Sequence, residues 1–206
     1  MIKRIIFDID NTLITGVSFE PYVRNAFIKY GVEPKVKTFQ DNCQLYEELY
    51  KKYDKERYAE FYSKVLGEEL SVEWVDILLN ELQYCVPKFH NIDKVLDSLS
   101  DYELVLLSNY FEESQRNRLK NMGINQYFSE YYGESIVKPN RDAYMQAIGP
   151  HQPYECVMVG DNELLDVRIP REFGLKSIYI NNKTNWTNGL TLRSLEEITP
   201  KLIKKI

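Results

Sequence analysis

The chain has 206 residues, 44% of them apolar and 28% charged, with a net charge of -5 and a sequence pI of about 5.3. That length can bury one good core and a smaller appendage, and the balance of residue types excludes a disordered chain. The acidic surplus argues against a dedicated nucleic-acid binder, and no apolar run approaches the ~20 residues of a membrane span.

In chain order, the first apolar run is RIIFDI near residue 6, which ends on Asp8 and Asp10, followed by Asn11 and Thr12. Branched and aromatic residues over so short a stretch predict a buried strand. From about 15 to 88 no convincing strand is visible. QLYEELYKKY, RYAEFYSKVLG and VEWVDILLNELQYC instead carry apolar residues at three- and four-residue spacing, which predicts amphipathic helices. The hinges of this insertion fall near 15–18 and at CVPKFH (85–90), where Pro87 suits a boundary. The aromatic residues of the insertion, at helical spacing, read as core.

YELVLLSN near 105, CVMVGD near 158 and LKSIYIN near 178 are three further strands. Between them EESQRNRLKNMG and RDAYMQAIG read as helices closed by Gly123 and Gly149. Strand alternating with helix predicts an α/β fold, a doubly wound parallel sheet of the Rossmann-like kind. The core is then 1–14 and 89–206, with 15–88 inserted. Within DVRIPREFG, Pro170 predicts a helix broken or restarted at that point. Cys43, Cys85 and Cys156 show no disulfide or zinc spacing, and the two histidines exclude a histidine-rich metal site. No signal peptide is evident, so the expected home is the cytoplasm, and the sequon at Asn185 is read as chance.

In such a sheet, ligands bind beyond the carboxyl ends of the strands. The sequence puts Asp8, Asp10 and Thr12 there, then Ser108 and Asn109, then Lys138 in SIVKPN, then Gly160, Asp161 and Asp166. Each signal alone is ordinary turn or cap chemistry. Their order at one end of consecutive strands favours convergence on one crevice. Carboxylates gathered there repel one another unless a cation neutralises them or some hold protons. A hard divalent ion fits, and Mg²⁺ is the usual one beside phosphate. Lys138, Ser108 and backbone N–H groups near Asp10 and Asn109 could then hold a phosphoryl group.

DIDNT (8–12), LLSN (106–109), VKPN around Lys138 and VGDNELLD (159–166) together resemble the four motifs of the haloacid dehalogenase-like superfamily. The resemblance runs through about 1–14 and 89–182, and by position it makes the insertion a helical cap. It implies a phosphatase acting on a small phosphorylated metabolite, with Asp8 as nucleophile and Asp10 as general acid and base. It further implies Mg²⁺ on the Asp8 carboxylate, the Asp10 carbonyl and Asp161, with Asp166 in support, and Ser108, Asn109 and Lys138 on the phosphoryl oxygens. Asn11 and Asn140 depart from the glycine and aspartate common at those positions. True dehalogenases of the group lack the second aspartate, so the presence of Asp10 points away from that chemistry. The alternatives are a phosphomutase of the same fold and a non-catalytic binding or regulatory domain.

Overall fold

In a computed structural model the described residues are 1–16, 18–181 and 190–206. The sequon at Asn185 lies outside them. Among the described residues, six strands form one all-parallel sheet: β1 (Arg4–Phe7), β2 (Glu103–Leu107), β3 (Glu130–Tyr132), β4 (Cys156–Gly160), β5 (Lys176–Ile180) and β6 (Leu190–Leu192), in the order β3-β2-β1-β4-β5-β6. The four apolar runs are β1, β2, β4 and β5. The edge strands β3 and β6 escape a sequence reading because each is three residues long and leaves no periodicity to detect.

Between β1 and β2 lie α1 (Glu20–Tyr30), α2 (Val36–Asp41), α3 (Cys43–Tyr50), α4 (Lys55–Leu66), α5 (Val72–Leu82) and α6 (Ile92–Ser98). The three expected insertion helices are α3, α4 and α5; α1 and α2 are additional. The remaining helices are α7 (Glu112–Asn121), α8 (Arg141–Ile148), α9 (Ile169–Glu172) and α10 (Pro200–Ile203). Alternation along the strands shows why helices must cover both faces. Ile5, Phe7, Leu104, Leu106, Val157 and Val159 join one buried cluster, whereas Ile6, Val105, Leu107 and Met158 join another with Ala143, Tyr144 and Ala147 of α8.

The insertion has its own aromatic core, in which Trp74, Phe27, Phe39, Tyr46, Tyr58 and Tyr62 are buried, as their helical spacing predicts. Its two ends meet where Ile14 bridges antiparallel to Lys88 and the Thr15 N–H donates to the Pro87 carbonyl. A second junction lies on the far side. The Tyr53 N–H donates to the Glu134 carbonyl (2.8 Å) and the Val137 N–H to the Lys51 carbonyl (3.0 Å). Phe111 and Val137, from loops of the sheet unit, complete the insertion's core. No helix among the described residues is long and apolar enough to cross a membrane.

Candidate active site

The strand register sets the site. Phe7 pairs with both Leu106 and Val159, so β2 and β4 run one residue past β1, and Asp8, Ser108 and Asp161 follow at neighbouring strand ends. Past β1 the chain turns tightly, with the N–H groups of Thr12, Leu13 and Ile14 all donating to the Ile9 carbonyl. Asn11 sits at φ 56°, in the left-handed region. Asparagine is among the few side chains that tolerate this conformation, which explains how it replaces glycine there. Thr12 is fully buried beneath the turn.

Asp8 and Asp10 face different partners. Asp8 is buried, and its Oδ1 accepts from Lys138 Nζ at 2.9 Å; the same ammonium donates to Asp166 Oδ1 at 2.6 Å. Asp161 completes the group, with carboxylate oxygens of Asp8, Asp161 and Asp166 all within 4.8 Å of one another. Asp10 instead takes two hydrogen bonds from the buried Arg118, at 2.6 and 3.1 Å. Arg118 also donates to the Cys85 carbonyl and to Gln115 Oε1. The sequence reading missed this arginine. A signal was available in α7: EESQRNRLKN holds one apolar residue, Leu119, so a packed face of this helix has to be polar.

The loops after β2 and β3 present the other residues. Ser108 is buried, its Oγ accepting from Gln115. The Asn109 side chain braces the lysine loop: Oδ1 accepts the Lys138 N–H at 2.7 Å, and Nδ2 donates to the Lys138 carbonyl and to Glu47. That side chain is committed, so what Asn109 can offer an anion is its backbone N–H. Asn140, the other departure from the family pattern, accepts the Asp142 N–H and caps α8, which an aspartate would do equally well.

After β4, Asp166 lies so close to Gly160 that a Cβ there would meet the carboxylate carbon at 2.3 Å. Gly160→Ala should therefore displace Asp166. Since an ångström of misplacement can cost about 10²-fold, we expect a loss of that order in turnover with an unchanged circular dichroism spectrum. Turnover within threefold of the native chain would show that the close approach is dispensable. Asn162 caps the next segment by accepting from the Leu164 and Leu165 N–H groups. The segment runs as a π-helix over Glu163–Arg168 and passes to α9 at Ile169. The expected break is not seen: the backbone stays helical through Arg168 and Ile169, and the missing N–H of Pro170 coincides instead with a change from π- to α-helical bonding.

Three carboxylates face one ammonium, and their electrostatics reflect it. Burial pushes Asp8 up to about 7, with Lys138 pulling against the rise and Asp166 adding to it. Burial and then Asp166 push Asp161 up to about 6. Burial alone would lower the Lys138 ammonium, but Asp166 and Asp8 hold it above its ordinary value. An all-oxygen, over-acidic cluster of this kind fits a hard divalent cation. Without metal, the folded chain keeps protons on Asp8 and Asp161 that the unfolded chain loses near pH ~4. These two groups therefore destabilise the fold progressively as the pH rises from about 4 to 7. In a chelator we expect the urea midpoint to fall over that range, and Asp8→Asn to flatten the fall. A slope identical in both proteins would contradict this charge balance.

Two cavities adjoin the site. An open cleft of about 700 Å³ is lined by Glu47, Lys51, Lys138 and Asn162. A smaller one of about 210 Å³, between the insertion and α7, is lined by Asp10, Phe39, Leu82, Ser114 and Arg118.

Comparison with known proteins is consistent with this geometry. Over 97% of both chains the sequence is 24% identical to the glyceraldehyde 3-phosphate phosphatase of Methanothermobacter thermautotrophicus. The fold is shared with L-2-haloacid dehalogenase from Xanthobacter autotrophicus (TM-score 0.74, 17% identity, 100% of both chains) and with a HAD phosphatase from Thermococcus onnurineus (TM-score 0.62, 22% identity, 95% of both). The haloacid dehalogenase-like hydrolase profile matches residues 2–174. A match of that extent, over a parallel sheet whose strand ends gather these acids and this lysine, places the chain in the haloacid dehalogenase-like hydrolase family.

Proposed function

We propose that the chain is a Mg²⁺-dependent phosphatase that hydrolyses a small phosphomonoester through an aspartyl-phosphate on Asp8. The observation that carries this reading is the division of labour between Asp8, which lies in the lysine-bearing acidic cluster, and Asp10, which lies one residue on against the smaller cavity. A carboxylate of Asp8 attacks phosphorus, and the bond to the leaving oxygen breaks as Asp10 gives that oxygen a proton. Asp10 then takes a proton from the water that attacks the acyl phosphate, which frees inorganic phosphate and restores Asp8.

Asp8, Asp161 and the Asp10 carbonyl would hold Mg²⁺, with Asp166 in support; when bound, the ion neutralises the acids and the phosphoryl oxygens. Lys138 and Ser108 bind those oxygens, and Asn109 keeps the lysine loop in register. In a loose transition state such positioning does most of the catalysis. Segment 15–88 is the cap, covering the leaving-group side. The name of the Methanothermobacter relative supports a small phosphorylated substrate, and three unpaired cysteines agree with a reducing cytoplasm.

Phosphate release from a generic aryl phosphate tests the reading. We expect turnover with Mg²⁺, loss in chelator and recovery on adding Mg²⁺ back. Metal-independent release, or none from a broad panel of phosphomonoesters, would overturn it.

A further inference from the structure

We infer that the leaving group of the substrate is a short, uncharged, hydroxyl-bearing chain seated in the smaller cavity, and that Ser114 is the residue that selects it. This rests on the phosphatase reading of the same site.

Position comes first. The leaving oxygen must lie beside Asp10, and Asp10 lines the 210 Å³ cavity, not the 700 Å³ cleft. The substrate's carbon chain therefore extends between α7 and the insertion. Size follows. A water's share of liquid volume is about 30 Å³, so the cavity has room for about seven waters. Three or four carbons with their oxygens match that space.

Charge narrows the class. Arg118 is the cationic residue lining this cavity, and its donors go to Asp10, Gln115 and the Cys85 carbonyl. Glu47 lines it too, accepting from Tyr53 and Asn109. A carboxylate or a second phosphate on the leaving group would face Glu47 and Asp10, with the lining cation, Arg118, already committed to Asp10, an arrangement that is unfavourable. Phosphorylated acids and bisphosphates are selected against.

Polarity identifies the reader. Ser114 is 1% exposed, lines the cavity, and its Oγ has no hydrogen-bond partner in the structure. A buried hydroxyl left unpaired is costly and uncommon, so a polar group is expected to meet it. A ligand hydroxyl in the cavity supplies one, while Phe39 and Leu82 face its carbons.

Calorimetric binding to the Asp8→Asn chain in Mg²⁺ tests this without turnover. Glycerol 3-phosphate should bind about tenfold tighter than 3-phosphoglycerate. It should also bind about fivefold tighter than propyl phosphate, which lacks the hydroxyls, a ratio typical of one hydrogen bond. Adding Ser114→Ala should erase the second difference. Adding Ser114→Leu, which narrows the cavity and removes the hydroxyl, should weaken binding of glycerol 3-phosphate yet keep inorganic phosphate. Equal or tighter binding of phosphoglycerate, a preference over propyl phosphate that survives Ser114→Ala, or no binding of any ester would overturn the assignment. Aryl phosphate release by the native chain, measured in parallel, reports on the phosphatase reading separately. Release without discrimination sinks the leaving-group assignment alone; discrimination without release sinks the hydrolysis and leaves the pocket standing.

Discussion

Asp8→Asn is expected to lower phosphate release at least about a thousandfold, because on the proposed mechanism it removes the attacking group while keeping its shape. No neighbour can substitute. Asp166 and Asp161 lie within the same cluster, but each would share its charge with Lys138 or the metal, and Asp10 is turned away toward Arg118. The variant should fold well. An amide at position 8 still offers an oxygen to Lys138 Nζ, and it relieves a crowd of three acids, so the metal-free protein should gain stability at pH 8. Loss of turnover together with a higher urea midpoint at that pH is the combined signature. Residual activity above a few per cent would rule out Asp8 as nucleophile.

Arg118→Met should be the most damaging change outside the acidic cluster. The arginine is buried, and its removal strands the Asp10 carboxylate, the Cys85 carbonyl and Gln115 Oε1 at once. Breaking a buried pair costs about 3–5 kcal/mol. The Asp10 side chain is 34% exposed and can recover some water, which favours the low end of that range. The kinetic effect should separate from the structural one. With its carboxyl no longer fixed by a two-pronged partner, Asp10 should lose about 10²-fold in kcat, at nearly constant KM. Arg118→Lys should recover part of the stability but little of kcat, since an ammonium cannot reproduce the planar fork. If kcat and thermal stability fall together and lysine restores both equally, Arg118 is a support for the hinge at Cys85 and does not orient Asp10.

What could be read in the sequence was local. β1, β2, β4 and β5 announced themselves as apolar runs closed by turn formers, and Asp8, Asp10, Ser108, Asp161 and Asp166 stand where those runs or their loops end, while Lys138 was legible from its own loop, SIVKPN. The break expected at Pro170 did not form, because a change from π- to α-helical bonding accommodates the missing N–H without a gap. What could not be read depends on separations the chain does not encode in any short window. Arg118 meets Asp10 across 108 positions, and Asn109 grips the Lys138 backbone across 29. The pairing of Glu47 with Asn109, and hence the charge of the cavity, emerges only once the insertion has docked.

The second junction between insertion and sheet has a bearing on modularity. Phe111 stacks edge-on against Tyr53 and Tyr58, Val137 is buried among the same aromatics, and the Lys51 and Glu134 carbonyls are capped across the seam. Val137 is the immediate neighbour of Lys138, the lysine of the acidic cluster. The two units therefore own one hydrophobic core between them at the point where phosphate would be held. An excised sheet unit would bare Phe111 and Val137 to water and release the strand of chain that carries Lys138. We therefore expect the insertion and the Lys138 loop to open together as one cooperative unit, which hydrogen exchange of the Val137 and Tyr53 amides would check.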